Sequence, residues 1–220
     1  MKKIILLLTL MTLHLTAHTL WIDNGFNVHQ GHINQSHIDD KETLVSLKAL
    51  KRISCLNENN ISEVSDLNLL KDKSCEALYI SLKPQYYTKT PYGTKNLSKD
   101  KVKVSIKSWQ SKESVKRVYG NSAKKAFGKG LEIVFRNKLS EIEIGDKARL
   151  KVYFNGKPIS KVAIANGHKT IGVTDSEGNV NVKIRDIGLQ TINASYTLKS
   201  DGILCDTIIY ATTLNFEIKK

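Results

Sequence analysis

Methionine, tryptophan and cysteine are scarce in this sequence, with two, two and three copies in 220 residues. Both methionines, Met1 and Met11, fall in the first seventeen residues, so nothing downstream could build a methionine-rich copper site. Trp21 and Trp109 are too few to form the aromatic platforms on which polysaccharide-active proteins hold sugar. No CxxC spacing points to zinc or redox chemistry. Absent too are a GxSxG elbow, an HExxH helix, a Walker loop and a GxGxxG fingerprint. A serine or cysteine nucleophile would need a histidine base, and the second half of the chain offers only His168, beside an Asn-Gly turn. Cys205-Asp206 has no such partner in sequence. The expectation is a protein that is not an enzyme.

Arginine is also short. Of 34 lysines and arginines only Arg52, Arg117, Arg136, Arg149 and Arg185 are arginine. Base and phosphate forks favour arginine, so the net charge of +13 argues against nucleic acid and for a lysine-rich surface that meets anionic polymers or lipid. Long apolar runs are missing after residue 15, which leaves nothing to hold the chain in a membrane once the start is removed. That start reads as a leader. Lys2 and Lys3 precede an apolar run from Ile4 to Leu15, and Leu15-Thr16-Ala17 suits a signal peptidase. Residues 1–17 are therefore expected to be a signal peptide, and the remainder an exported, periplasmic protein; removal of Lys2 and Lys3 leaves a net charge of +11.

In an oxidising compartment three cysteines allow one disulfide. Cys55 and Cys75 bracket a polar, turn-rich segment and form the expected pair, with Cys205 left reduced; spacing alone leaves the other two pairings open. The chain otherwise reads as strands. Short apolar runs cover 19–28, 43–49 and 76–83, and Val102, Val104 and Ile106 alternate before Trp109. Two prolines and a glycine between 84 and 93 predict an ordered surface loop. Residues 111–127 are the one helical candidate, on the spacing of Val115, Val118, Tyr119, Ala123 and Phe127. Beyond Gly130 the pattern becomes regular, with strands expected at 131–136, 147–154, 162–165, 170–174, 180–184, 189–198 and 206–218. Asn155-Gly156, Asn166-Gly167 and the run Asp175 to Asn179 supply reversals between them. The fold class is thus mainly β: a β-rich domain over 18–127, a short helix, and an antiparallel β-sandwich over 128–220.

Gly145-Asp146, Asn155-Gly156-Lys157-Pro158-Ile159 and Thr174-Asp175-Ser176-Glu177-Gly178-Asn179-Val180 resemble the repeat grammar of immunoglobulin-like or transthyretin-like sandwich modules. Together with Ala17-His18-Thr19-Leu20-Trp21-Ile22, Tyr86-Tyr87-Thr88-Lys89-Thr90-Pro91 and Tyr210 to Phe216, the chain resembles a family of exported bacterial proteins long called a domain of unknown function. Members are often assigned as periplasmic components of cobalt or nickel uptake systems of the ABC or energy-coupling-factor type. The resemblance implies a nickel or cobalt ion as ligand and an inner-membrane metal transporter as partner.

Histidine carries the local argument for a metal. Cleavage after Ala17 would make His18 the N-terminus, where α-amine and ring form a bidentate chelate. His29, His32 and His37 follow within twenty residues, trailed by Asp39 and Asp40. His18 and His32 share strand parity with Leu20 and Ile22, while His29 and His37 fall on the other, so His32 is the expected second ligand and His29 or His37 an outer one. The amine and the rings must lose protons to bind, so affinity would fall with pH. Cleavage after Leu15 would instead place His18 third, a terminus suited to copper(II) or nickel(II). An N-terminal histidine on a sandwich also resembles copper oxygenases and copper carriers. A non-metal envelope or adhesin-like module is the remaining reading, and it predicts no metal dependence.

Overall fold

Alternating apolar and polar residues with tight turns between them give this chain three stacked layers of β-structure. A computed structural model of the protein describes residues 19–31, 42–57, 60–70, 75–121, 124–167 and 169–219. The first half contributes strands β1 (Thr19–Ile22), β2 (Val28–Gly31), β3 (Thr43–Leu44), β4 (Leu50–Asn57), β5 (Asn60–Glu63), β6 (Ala77–Leu82), β7 (Gln85–Thr90), β8 (Gly93–Lys95) and β9 (Lys107–Val118). The second half adds β10 (Leu131–Phe135), β11 (Lys147–Phe154), β12 (Lys157–Pro158), β13 (Ala163–Asn166), β14 (Lys169–Val173), β15 (Asn179–Lys183), β16 (Gly188–Lys199) and β17 (Thr207–Ile218). All seven strands expected after Gly130 are present. Among the described residues the only helical turns are short 3-10 pieces, such as Leu67–Leu70 and Lys99–Lys101.

The middle layer is a ten-stranded sheet in the order β14-β13-β16-β17-β9-β6-β4-β5, with β7 and β8 joined along the first half of β9. β17 is antiparallel to β16 over twelve pairs and parallel to β9 over nine, from Thr207 opposite Trp109 to Asn215 opposite Arg117. That pairing crosses the boundary expected at 127/128. The two halves therefore share one sheet, because β9 covers the edge that β17 would otherwise expose.

On one face lies the small sheet of β10, β11, β12 and β15. Leu131, Ile133, Phe135, Leu150 and Val152 from it interlock with Leu214, Phe216, Ile192, Tyr79 and Val118 of the large sheet. Within this core Lys116 and Glu132 are each 1% exposed, with Nζ 2.9 Å from Oε1. Strand alternation sends the intervening residues to the opposite face. There Leu78, Ile80, Val115, Ile53 and Cys55 form a second core with Leu20, Ile22 and Val28 of the β1–β2 hairpin and with Leu67 and Leu70. The Cys55–Cys75 disulfide is formed, with Cα atoms 5.5 Å apart, and it tethers the Leu67–Leu70 turn to β4. Closing twenty residues in this way stabilises by about 3 kcal/mol on the chain-entropy model. Cys205 is free and buried.

Three expectations are corrected. Among the described residues the helix placed over 111–127 is not there: its first eight residues are the end of β9, where Ser114 to Val118 are buried on both faces. Burial on both sides erases the period-two signal, and the spaced valines then imitate a helical face. The loop placed over 84–93 is largely a hairpin, since Pro84 precedes β7 and Pro91-Tyr92 form its turn. Conversely, the alternating Val102, Val104 and Ile106 are bends and turns without strand pairing, and Val104 and Ile106 are 58% and 60% exposed.

Candidate functional site at the N-terminal hairpin

Strand β1 begins at Thr19, and the site is built where this strand crosses the large sheet. Its residues pair with β2 in the register Thr19 to Gly31, Leu20 to Gln30, Trp21 to His29 and Ile22 to Val28. A five-residue reversal, Asp23 to Asn27, joins the two strands. The Asp23 carboxylate fixes that reversal by accepting from the Asn27 backbone N–H at 2.8 Å and from its side-chain amide at 2.9 Å. Phe26 takes a left-handed φ of 63°, a conformation that disfavours a bulky side chain, and its ring is seated 6.0 Å edge-on to Tyr119.

The large sheet meets the hairpin with polar side chains rather than backbone. Asn215 Oδ1 accepts from Ile22 N–H at 3.1 Å, and the Arg117 guanidinium donates to Ile22 C=O and to Asn24 Oδ1. Arg117 and Asn215 are register neighbours on β9 and β17, so one rung of the sheet satisfies the outward-facing groups of Ile22. Asn193 on β16 donates to Thr19 Oγ1 at 3.1 Å, which ties down the hairpin's other end. Burial pushes the Tyr119 hydroxyl up to about 12, with Arg117 opposing and Asp23 reinforcing the shift.

His29 sits on the outward face of this hairpin. Its ring lies over Trp21, with centroids 5.4 Å apart and planes within 9°. Nε2 is 2.9 Å from Asp23 Oδ2, and Nδ1 is 2.6 Å from Glu42 Oε1. A carboxylate oxygen against each ring nitrogen means that protein groups, and not open solvent, occupy both polar edges of the imidazole. Partial burial raises the Asp23 carboxyl, but hydrogen bonds from the Asn27 side chain, His29 and the backbone of Asn27 and Gly25 outweigh it and hold the group below its ordinary range. The pair His29 and Glu42 also fixes the start of β3, where Leu44 lies opposite His29.

Of the four histidines expected as ligands, only His29 falls among the described residues; His18, His32 and His37 lie outside them, as do Asp39, Asp40 and His168. Among the described residues no group of three or more His, Cys, Asp or Glu is arranged to hold a metal ion. Sequence reasoning missed Asp23, Glu42, Arg117 and Asn215. Asp23 and Glu42 flank the histidine segment and could have been weighed as partners of His29. Arg117 and Asn215 carry no local signal, since they reach Ile22 from 95 and 193 residues away.

Among the described residues no helix is long and apolar enough to cross a membrane. Neither the curated proteins nor the solved structures contain a match to the chain. A family model does match, over residues 15–198, so that the hairpin, the small sheet and the large sheet up to the last residue of β16 fall within it, while β17 lies beyond it. The chain belongs to the family described as a domain of unknown function (DUF4198).

Proposed function

We propose that this is an exported protein of the periplasm that binds nickel or cobalt at its N-terminus and passes the ion to an inner-membrane uptake system. The observation that carries the reading is the register of the hairpin. Thr19 stands opposite Gly31, and the residues bonded directly to them are His18 and His32. Two imidazoles and the α-amine of a processed His18 are a donor set that suits nickel and cobalt. Support for export comes from the leader pattern and from the Cys55–Cys75 disulfide, which belongs in an oxidising compartment.

In this reading His29 is a positioning residue. It holds the hairpin through Asp23 and Glu42, while His18 and His32 hold the ion and an open coordination position permits its release to the transporter. Copper remains the alternative cargo for the same donor set.

Intact mass of the exported protein fixes the terminus, and titration of nickel, cobalt and copper into wild type, His18→Ala and His32→Ala tests the site. One ion bound per chain, with affinity lost in either variant, is the expected result. Preference for copper would move the protein toward the copper-carrier class. Unchanged affinity in both variants, or no binding by wild type, would sink the reading.

A further inference from the structure

The end of the large sheet farthest from the hairpin has an unusual surface. β17 starts there at Thr207, and the hairpin meets the sheet further along, where Gln30 donates to Glu113 on β9 and Ile22 to Asn215 on β17. Three connections meet at this end. The β7–β8 hairpin turns at Tyr92, residues 96–106 lead into β9, and residues 200–206 lead into β17. They are pinned together by the backbone: Ile106 N–H donates to Lys89 C=O, Lys99 N–H to Leu204 C=O, and Asp206 N–H to Ser108 C=O. Asp206 also accepts from the Lys99 ammonium and from the Ser108 hydroxyl, and Thr88 Oγ1 donates to Leu97 C=O.

On this rigid tip, large apolar side chains face solvent. Tyr92 is 95% exposed, Ile203 67%, Ile106 60% and Val104 58%, with Leu97 and Leu204 also exposed. Lysines are set among them. Lys89, Lys95, Lys101 and Lys103 are exposed and Lys107 is half-buried, and among the described residues none of these five is in an ion pair. The acids are few. Asp206 is held by Lys99, which leaves Asp100 and Asp201, and Asp201 accepts from the Ile203 backbone N–H.

Soluble proteins seldom gather exposed apolar side chains without a partner for them. A surface that mixes protruding apolar residues with lysines has two demands at one depth: hydrocarbon for the former and anions for the latter. An anionic bilayer meets both, with phosphates at the level of the ammonium groups and acyl chains beneath, and long lysine stems span the two zones. We infer that this tip is a membrane-docking surface that seats the folded protein on anionic phospholipid. The inference is independent of the metal reading, since it uses none of the histidines.

Purified protein, its N-terminus fixed by intact mass, is to be sedimented with vesicles of phosphatidylcholine alone and with vesicles of equal parts phosphatidylglycerol and phosphatidylcholine. Binding is expected only to the anionic vesicles, and to weaken as salt rises. Each surface lysine contributes about fivefold, so Lys95→Glu, Lys101→Glu and Lys103→Glu combined should weaken binding at least a hundredfold. Ile106→Asp with Ile203→Asp should weaken it about tenfold or more. Lys183→Glu with Arg185→Glu, near the start of β16 that pairs with the end of β17, should leave it unchanged. All of these side chains are on the surface, and thermal unfolding of each variant reports its fold. No binding by wild type overturns the inference. So does equal weakening by the Lys183/Arg185 pair, which would mark binding by overall charge, and so does full binding by the Ile106/Ile203 variant.

Discussion

Replacing Lys116 with methionine should be among the most destabilising single changes available to this protein. The ammonium lies between the two sheets, 2.9 Å from Glu132 Oε1 and 2.8 Å from the Lys125 carbonyl, and 5.0 Å over the Phe127 ring. Glu132 Oε2 in turn accepts from the backbone N–H groups of Phe127 and Gly128 at 2.7 and 3.3 Å. The pair thus anchors the connection that carries the chain from β9 to β10. Burial drives the Lys116 ammonium below its ordinary value, and the Glu132 carboxylate opposes that shift. Methionine matches the length of the lysine stem but leaves Glu132 charged and without its counter-ion, a cost of about 3–5 kcal/mol. Glu132→Gln should cost a similar amount by stranding the ammonium. The double variant strands no charge, while glutamine can still accept from Phe127, so its stability should return to within about 2 kcal/mol of wild type. For a chain of this size each kcal/mol moves the melting temperature by about 2–4 °C, so each single variant should melt roughly 6–20 °C lower and the double variant close to wild type. Thermal unfolding followed by circular dichroism, backed by urea titration, measures all four proteins. Single costs near zero, or a double variant as unstable as the sum of the singles, would refute the account of the pair.

Two further predictions concern the two ends of the large sheet. Arg117→Met removes the donors to Ile22 and Asn24, so amide hydrogen exchange should rise over residues 19–31 while β16 and the core of β17 stay protected; uniform exchange across the chain would contradict the hairpin's dependence on that rung. Asp206 is held below its usual range by Lys99 first and by Ser108, so its contribution to stability is complete above the unfolded value of 3.8 and is lost as pH falls through the lower folded value. Asp206→Asn should therefore melt below wild type at pH 7, and the gap should narrow through the acid range. A gap that is constant from pH 7 to pH 2 would rule the linkage out.

The second half of the chain was legible because its longer strands β11, β15 and β16 alternate buried with more exposed residues and its turns are marked by Asn-Gly or Asp-rich runs. Leu150 and Val152 of β11 alternate with Arg149 and Lys151, and the pattern is unambiguous. The first half was less so. β9 is buried on both faces over Ser114 to Val118, β4 hides behind Lys51 and Arg52, and β7 lies between two prolines that fall just outside it. Val102, Val104 and Ile106 mislead in the opposite sense. Their alternation is genuine, but no neighbouring strand pairs with them and their side chains serve a surface. The disulfide was legible from loop length and composition. At the candidate site the histidine cluster was visible in sequence, whereas the partners that fix the hairpin were not, because parallel pairing of β9 with β17 joins residues about a hundred positions apart.

That parallel pairing also sets the order of assembly. β17 follows every other described strand of the large sheet in the sequence, yet it occupies the middle of that sheet, with β16 on one side and β9 on the other. Until its final residues arrive, β9 and β16 each present an open edge, and the hairpin has Arg117 but no Asn215 to receive it. Little of the native sheet can therefore close early, and high contact order slows what remains. The two halves of the chain thus stay unlocked until the one strand they share comes between them.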